Sequence, residues 1–334
     1  MRTVPDATGI REGVRMKVVF GGPIARPQVL EVLRQFPGVD VLAVDEADDV
    51  CPHVGDADVL VIANPRDKGR HIAEALGSPA CRVKWVQMVS AGTEGLTAHP
   101  LPPHIPITNQ GGAAAPAVAE HAMGLLLALT HRLDVALKNQ AAASWNVGAL
   151  RPLLQSVEGM TVGVIGMGNI GRELALRLRA FGATVHGFSR SGESNEAADA
   201  MHRIAELKSQ VSSLDALVVC VALVPQTRHL VDAELLSLCR KTAYVINIAR
   251  GESVDSLALD AALREGRIAG AGLDVTDPEP LPADHPLWTA PNLILTPHTA
   301  PMGNKLVGRR VAAVVRENMQ RFLEGRELLH RVEL

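Results

Sequence analysis

Thr161-Val-Gly-Val-Ile-Gly-Met-Gly-Asn-Ile-Gly-Arg172 is the stretch whose reading decides the fold. It opens with a short run of β-type residues, continues as Gly166-x-Gly168-x-x-Gly171, and passes into a helix-like segment through Ala180. Strand, glycine turn and helix in that order build a dinucleotide site. Gly166 permits the tight turn, Gly168 lets a pyrophosphate approach the backbone, and Gly171 lets the helix pack against the strand. Asn169 and Ile170 open the helix, whose N-terminus faces the phosphates. Glycines also punctuate ordinary loops. The strand on one side and the helix on the other favour the nucleotide.

Outward from this turn, apolar strands alternate with helical segments. Downstream, strands are expected over Thr184–Phe188, Ala216–Val221, Tyr244–Asn247, Ala269–Leu273 and Leu293–Leu295, and a helix over Asn304–Glu324. Upstream, Val18–Phe20, Val39–Val44, Val59–Ala63 and Trp85–Val89 read as strands, with a helix over Pro27–Gln35. Continuous apolar runs between helices predict parallel strands covered on both faces. The predicted class is α/β, with two doubly wound parallel-sheet domains. Residues 99–116 hold five prolines and the Gly111-Gly112 pair, the texture of a connector. A long helix over Pro116–Leu137 follows. Residues 1–15 read as a loose extension.

Composition narrows the classes of function. The 334 residues are 47% hydrophobic and 21% charged, and the net charge is −3. No global basic field would recruit nucleic acid. No apolar run approaches the ~20 residues of a membrane span, and the start has no signal-like apolar region. Cys51, Cys81, Cys220 and Cys239 make no C-x-x-C pair, so neither a metal knuckle nor a disulfide framework is indicated. No metal is expected. Reduced thiols in a cytoplasmic protein are the simpler reading.

The cofactor's ribose is read about 20 residues past the glycine turn, where a carboxylate would accept hydrogen bonds from the 2′-hydroxyl of NAD. The second strand ends in Ser189-Arg190-Ser191, with no carboxylate before Glu193. Ser189 is short and neutral, and Arg190 offers a planar fork of donors that suits a 2′-phosphate. NADP is therefore expected, with NAD as the alternative. The competing reading of Arg190 is a solvated loop arginine stacked on adenine.

Three polar residues stand where apolar runs end: Arg250 after Tyr244–Ala249, Glu279 in Asp274-Val-Thr-Asp-Pro-Glu-Pro280, and His298 in Leu295-Thr-Pro-His298. Strand C-termini border the ligand crevice of an open α/β sheet. A guanidinium, a carboxylate and an imidazole gathered there suit carbonyl reduction. Taken singly, each reads as well as a surface arginine, a loop glutamate and a buried histidine.

The passages Asn109-Gln-Gly-Gly…Val118-Ala-Glu-His121, Gly163–Gly171, Leu223-Val-Pro-Gln-Thr-Arg228, Ile246-Asn-Ile-Ala-Arg-Gly251, Gly272-Leu-Asp-Val…Glu279-Pro-Leu281 and Leu295–His298 carry a resemblance. Together the chain resembles the D-isomer-specific 2-hydroxyacid dehydrogenases. The resemblance implies a flavodoxin-like substrate domain, discontinuous over 1–112 and 300–334, and a Rossmann domain over 113–299. It implies that Arg250 binds the substrate, that Glu279 supports the catalytic histidine and that His298 is the acid/base. It places the substrate carboxylate at the amides near Ala91 and Gly92, where the plain alternative is an ordinary turn. Asp274 would lie near the nicotinamide carboxamide, or else be an N-cap. Thr227 and Arg228 fall in the loop beside the cofactor. A homodimer through about residues 113–150 is also implied. Trp145 by itself reads as a wedge in a subunit interface or a border of the pocket, and its area favours burial over substrate contact. His121 reads as a packed or interface side chain.

The expected reaction is reduction of a small 2-oxo acid, glyoxylate or hydroxypyruvate first, to the D-2-hydroxy acid. Arg250 would hold the carboxylate and the carbonyl, and protonated His298 would donate to the growing alkoxide. Two other readings keep the fold. One is a dinucleotide-sensing protein like the corepressors that resemble this family. The other is a dehydrogenase of another donor such as phosphite.

Overall fold

A computed structural model describes residues 16–65 and 68–333; the 1–15 extension lies outside the described residues. These residues gather into two compact units. One runs to Ala114 and resumes at Gly303, and the other is Ala115–Met302.

The first unit carries a five-stranded parallel sheet of β1 (Met16–Gly21), β2 (Val39–Val44), β3 (Val59–Ile62), β4 (Trp85–Met88) and β5 (Ile107–Thr108). Their order is β2-β1-β3-β4-β5, the flavodoxin-like winding. β3 and β4 are buried along their whole length, as continuous apolar runs between helices require. β5, only two residues long, lies inside the proline-rich connector, where sequence reading expects no strand. It exists because it has partners on two sides. Val86 and Gln87 of β4 pair with it, and the C-terminal tail returns antiparallel through Val332 N–H to Ile107 C=O at 2.8 Å. The helix Lys305–Leu323 precedes that tail. Asn304 caps it by accepting from Leu306 N–H at 2.8 Å, and it packs on the helix Arg26–Leu33.

The second unit carries a seven-stranded parallel sheet: β6 (Thr161–Ile165), β7 (Thr184–Ser189), β8 (Ala200–Arg203), β9 (Ala216–Val219), β10 (Tyr244–Asn247), β11 (Gly270–Leu273) and β12 (Leu293–Leu295). The order β12-β11-β10-β9-β6-β7-β8 is the Rossmann winding with an added strand, and β6 and β9 flank the switch point. β8 escapes sequence reading because Ala-Met-His-Arg at a sheet edge has no apolar run to announce it.

The expected long helix Pro116–Leu137 is two helices, Ala115–Thr130 and Leu133–Ala141. The break has a local cause. Arg132 adopts a left-handed backbone (φ 51°) and buries its guanidinium between Asp134 and Asn292, donating to Asn292 Oδ1 at 2.7 Å. That capture is incompatible with one continuous helix. Ala115–Thr130 is apolar almost all round and packs against the helix Asn169–Ala180 and strands β10 and β11. Among the described residues no helix is long and apolar enough to cross a membrane.

Candidate active site

Strands β10, β11 and β12 are neighbours in parallel register, Asn247 beside Leu273 and Leu273 beside Leu295. Their C-terminal ends therefore form one rim. Arg250 follows β10, Glu279 lies in the loop after β11, and His298 follows β12. All three belong to the second unit.

His298 and Glu279 meet on this rim. His298 Nδ1 lies 2.9 Å from Glu279 Oε1 and 3.1 Å from Oε2, and their side chains are 36% and 32% exposed. A carboxylate only accepts, so Nδ1 carries the hydrogen and Nε2 is the nitrogen left for chemistry. His298 has φ 53°, in the left-handed region that few side chains adopt. Its own N–H donates to Asp274 C=O at 2.7 Å.

Asp274, only 2% exposed, shapes that loop. Its Oδ1 accepts from Thr296 Oγ1 at 2.6 Å and from Thr299 N–H at 2.9 Å, and its Oδ2 accepts from Ala300 N–H at 3.0 Å. No helix begins at Asp274, which removes the N-cap reading. His121 Nε2 joins the cluster, 2.9 Å from Thr296 Oγ1 and 3.3 Å from Asp274 Oδ1. Sequence reading makes His121 a packed or interface side chain and does not single out Thr296. Both lie in the motifs that carry the resemblance, but nothing in their spacing shows that the fold joins them.

Arg250 is set by a turn built on Asn247, which is fully buried. Asn247 Oδ1 accepts from Ala249 N–H at 3.0 Å, and Nδ2 donates to Arg250 C=O at 2.8 Å. Arg250 Nη1 also donates to Ala249 C=O at 2.6 Å. Gly251 presses against the loop that carries Glu279. A Cβ there would stand 2.0 Å from the carbonyl carbon of Thr276, so only glycine fits. Ser256 Oγ to Asp277 C=O (3.3 Å), Thr276 Oγ1 to Pro278 C=O (3.0 Å) and Arg228 Nη2 to Asp277 Oδ2 (3.7 Å) hold the same loop.

The glycine turn lies at the switch point. Gly166 has φ 96°, and a Cβ there would come within 2.7 Å of Cys220 C=O; one on Gly171 would come within 2.0 Å of Gly166 C=O. Both positions require glycine. At Gly168 a Cβ would meet nothing within 4 Å, and Asn169 and Ile170 begin the helix there. Open space at a helix N-terminus fits a pyrophosphate. Ser189 closes β7, and its Oγ accepts from Gly192 N–H at 3.0 Å; Arg190 beside it is exposed. Thr227 is buried, and its hydroxyl closes the loop after β9, accepting from Val224 N–H at 2.9 Å and donating to Ala222 C=O at 2.8 Å. Burial pushes the Cys220 thiol up to about 12.

Ala91 and Gly92 lie in the first unit, on the loop after β4, where Ser90 Oγ donates to Gly92 C=O at 2.8 Å. Among the described residues no three His, Cys, Asp or Glu side chains are placed to hold a metal ion.

Residues 123–300 match the family described as D-isomer specific 2-hydroxyacid dehydrogenase, NAD binding domain. D-3-phosphoglycerate dehydrogenase of Methanocaldococcus jannaschii is 30% identical over 93% of this chain, which spans 58% of that relative's length. Glyoxylate reductase of Thermofilum pendens is 36% identical, over 67% of this chain and 69% of the relative. Among solved structures, the NADPH-dependent glyoxylate/hydroxypyruvate reductase of Sinorhizobium meliloti in complex with NADP and malonate superposes with a TM-score of 0.78 at 28% identity, covering 95% of this chain and 97% of that one.

Proposed function

Because the chain belongs to the D-isomer-specific 2-hydroxyacid dehydrogenase family, we propose that it reduces a small 2-oxo acid to the D-2-hydroxy acid with NADPH. Glyoxylate and hydroxypyruvate are the first candidates. The observation that carries this reading is the His298–Glu279 pair on the rim that also bears Arg250.

Each residue has a chemical part. The guanidinium fork of Arg250 suits a carboxylate beside a ketone, so it binds the acid and fixes the carbonyl's angle. Bound nicotinamide supplies the hydride. Negative charge then grows on the carbonyl oxygen, and His298 Nε2–H donates a proton to it. Glu279 holds Nδ1–H, which fixes the tautomer and the ring's orientation and leaves Nε2 to face the substrate. The amides near Ala91 and Gly92 receive the substrate carboxylate.

Gly166, Gly168, Asn169, Ile170 and Gly171 would cradle the pyrophosphate, Asp274 would lie near the nicotinamide carboxamide, and Thr227 would fall in the loop beside the cofactor. The preference for NADP rests on Arg190, exposed at the end of β7 where no carboxylate competes. The relative from Sinorhizobium meliloti, described as NADPH-dependent, supports the same preference.

The working form is a homodimer through about residues 113–150. Leu133, Leu137, Trp145 and Val147 are exposed there, Trp145 at 95%, and a second copy would cover them. The four free cysteines suit a cytoplasmic setting.

The deciding experiment measures initial rates for NADPH and NADH against a panel of 2-oxo acids. Steady NADPH consumption with glyoxylate or hydroxypyruvate is expected. Arg190→Ala should lower kcat/KM for NADPH by about tenfold relative to NADH, the worth of one charge-assisted contact. Tight dinucleotide binding with no turnover on any 2-oxo acid would overturn the enzymatic reading. An unchanged NADPH/NADH ratio in Arg190→Ala would overturn the cofactor assignment.

A further inference from the structure

His121 has no part in the chemistry above, yet it sits on the same cluster as the loop of His298. It lies on the helix Ala115–Thr130, and its side chain is 24% exposed. The hydrogen-bond directions around it are fixed by counting protons. Thr296 has a single hydroxyl hydrogen, which goes to Asp274 Oδ1, 2.6 Å away. Toward His121 the same oxygen accepts, so His121 Nε2, at 2.9 Å, carries the hydrogen. That N–H also faces Asp274 Oδ1 at 3.3 Å. Donation therefore runs from His121 to Thr296 to Asp274.

Asp274 passes the constraint on. Its carboxylate takes the N–H groups of Thr299 and Ala300, the two residues after His298, and its carbonyl takes the N–H of His298. Every residue from Thr296 to Ala300 except Pro297 is thus tied to Asp274. This is the segment that keeps His298 at φ 53°, a conformation that persists only when its surroundings over-determine it.

We propose that His121 is a positioning residue for the reduction, acting through Thr296 and Asp274 to hold the loop that aims His298 at the substrate. The proposal rests on the reading of His298 as proton donor. A residue that merely fills space at position 121 needs no N–H. An aromatic ring without a donor would then serve as well, and this separates the two roles.

The test uses the full chain with His121→Phe, which keeps an aromatic ring and removes the donor, and His121→Gln, which restores an N–H. Amide hydrogen exchange comes first, because it needs no activity. Thr299 and Ala300 in His121→Phe are expected to exchange about tenfold faster or more, with β6 and β10 unchanged, and His121→Gln is expected to recover most of the protection. In steady state, kcat should fall by about tenfold in His121→Phe while KM for the 2-oxo acid moves less than about twofold, again with recovery in His121→Gln. Unchanged exchange at Thr299 and Ala300, or full kcat in His121→Phe, overturns the proposal. Faster exchange across the whole unit also overturns it, because it shows a general packing role. If the unaltered protein turns over no 2-oxo acid, the functional reading fails, while exchange still decides whether His121 holds the loop.

Discussion

His298 Nδ1 rests between both oxygens of Glu279, at 2.9 and 3.1 Å, on a backbone that Asp274 holds at φ 53°. The ring's one remaining nitrogen is therefore fixed in identity and in direction. His298→Asn should lower kcat by ~10²–10⁴, the usual worth of a general acid. Glu279→Gln keeps an acceptor for Nδ1 and loses the charge, so its loss should be smaller. Full kcat in His298→Asn, with a deuterium isotope effect showing that hydride transfer limits turnover, would remove His298 from the mechanism.

Arg250 makes a different prediction, because it binds before the reaction as well as during it. Arg250→Ala removes charge-assisted bonds worth ~1.5–3 kcal/mol each, so kcat/KM for the 2-oxo acid should fall by at least about tenfold. Arg250→Lys should recover little, since an ammonium cannot span two oxygens as a fork does. The constant for the dinucleotide should stay near its original value. An effect confined to the dinucleotide would move the substrate anchor elsewhere.

The parts of this molecule that sequence reading reaches are those encoded by adjacent residues. Gly166 through Gly171 announces its turn, and the continuous runs of β3, β4, β9 and β10 announce their strands, because each feature is local. β5 and β8 stay hidden, because a two-residue strand and a polar edge strand exist only through their neighbours. The break at Arg132 is hidden for the same reason: its cause, Asn292, is supplied by a distant loop. At the site, the places of Arg250, Glu279 and His298 are legible as residues beyond strand ends. The support from His121 and Thr296 is not, since it forms only when the helix Ala115–Thr130 packs against β10 and β11 and brings His121 to Thr296.

A pair of histidines on β7 and β8 predicts acid lability of the second unit. The His186 and His202 rings lie 5.1 Å apart, and His202 stacks on Phe188 at 5.2 Å. Among the described residues His186 Nδ1 and His202 Nε2 are buried without a hydrogen-bond partner. Burial first, and then His202, depress the pKa of His186, and Asp199 only partly opposes them. The sign follows. An unfolded histidine takes up its proton near 6.5, whereas folded His186 waits for a lower pH. Stability is therefore whole above that value and is lost as pH falls below it. Thermal melts should show Tm dropping from neutral toward pH 5, and His186→Phe should flatten that slope. An equal slope in the variant would assign the lability to other groups.

A buried polar network ties three elements of the first unit together. Asn318, fully buried on the helix Lys305–Leu323, donates to Gln87 Oε1 at 2.9 Å and to Leu329 C=O at 3.1 Å, and accepts from Leu329 N–H at 2.8 Å. Gln87 also accepts from Thr108 Oγ1, which in turn accepts from Trp85 Nε1, both at 2.9 Å. One side chain thus joins β4, the last helix and the returning tail. Asn318→Leu matches the volume roughly but strands the Leu329 amide and carbonyl, each worth ~1–3 kcal/mol when buried unpaired. A loss of ~2–4 kcal/mol in unfolding free energy is expected by the same reasoning. The tail beyond Leu329 should become sensitive to limited proteolysis, since its pairing with β5 starts from that point. Asn318→Asp should cost as much or more, because a carboxylate cannot donate to Gln87 Oε1 or to Leu329 C=O. A variant with leucine at 318 that melts like the unaltered protein and keeps its tail protected would show that packing alone holds this end of the sheet.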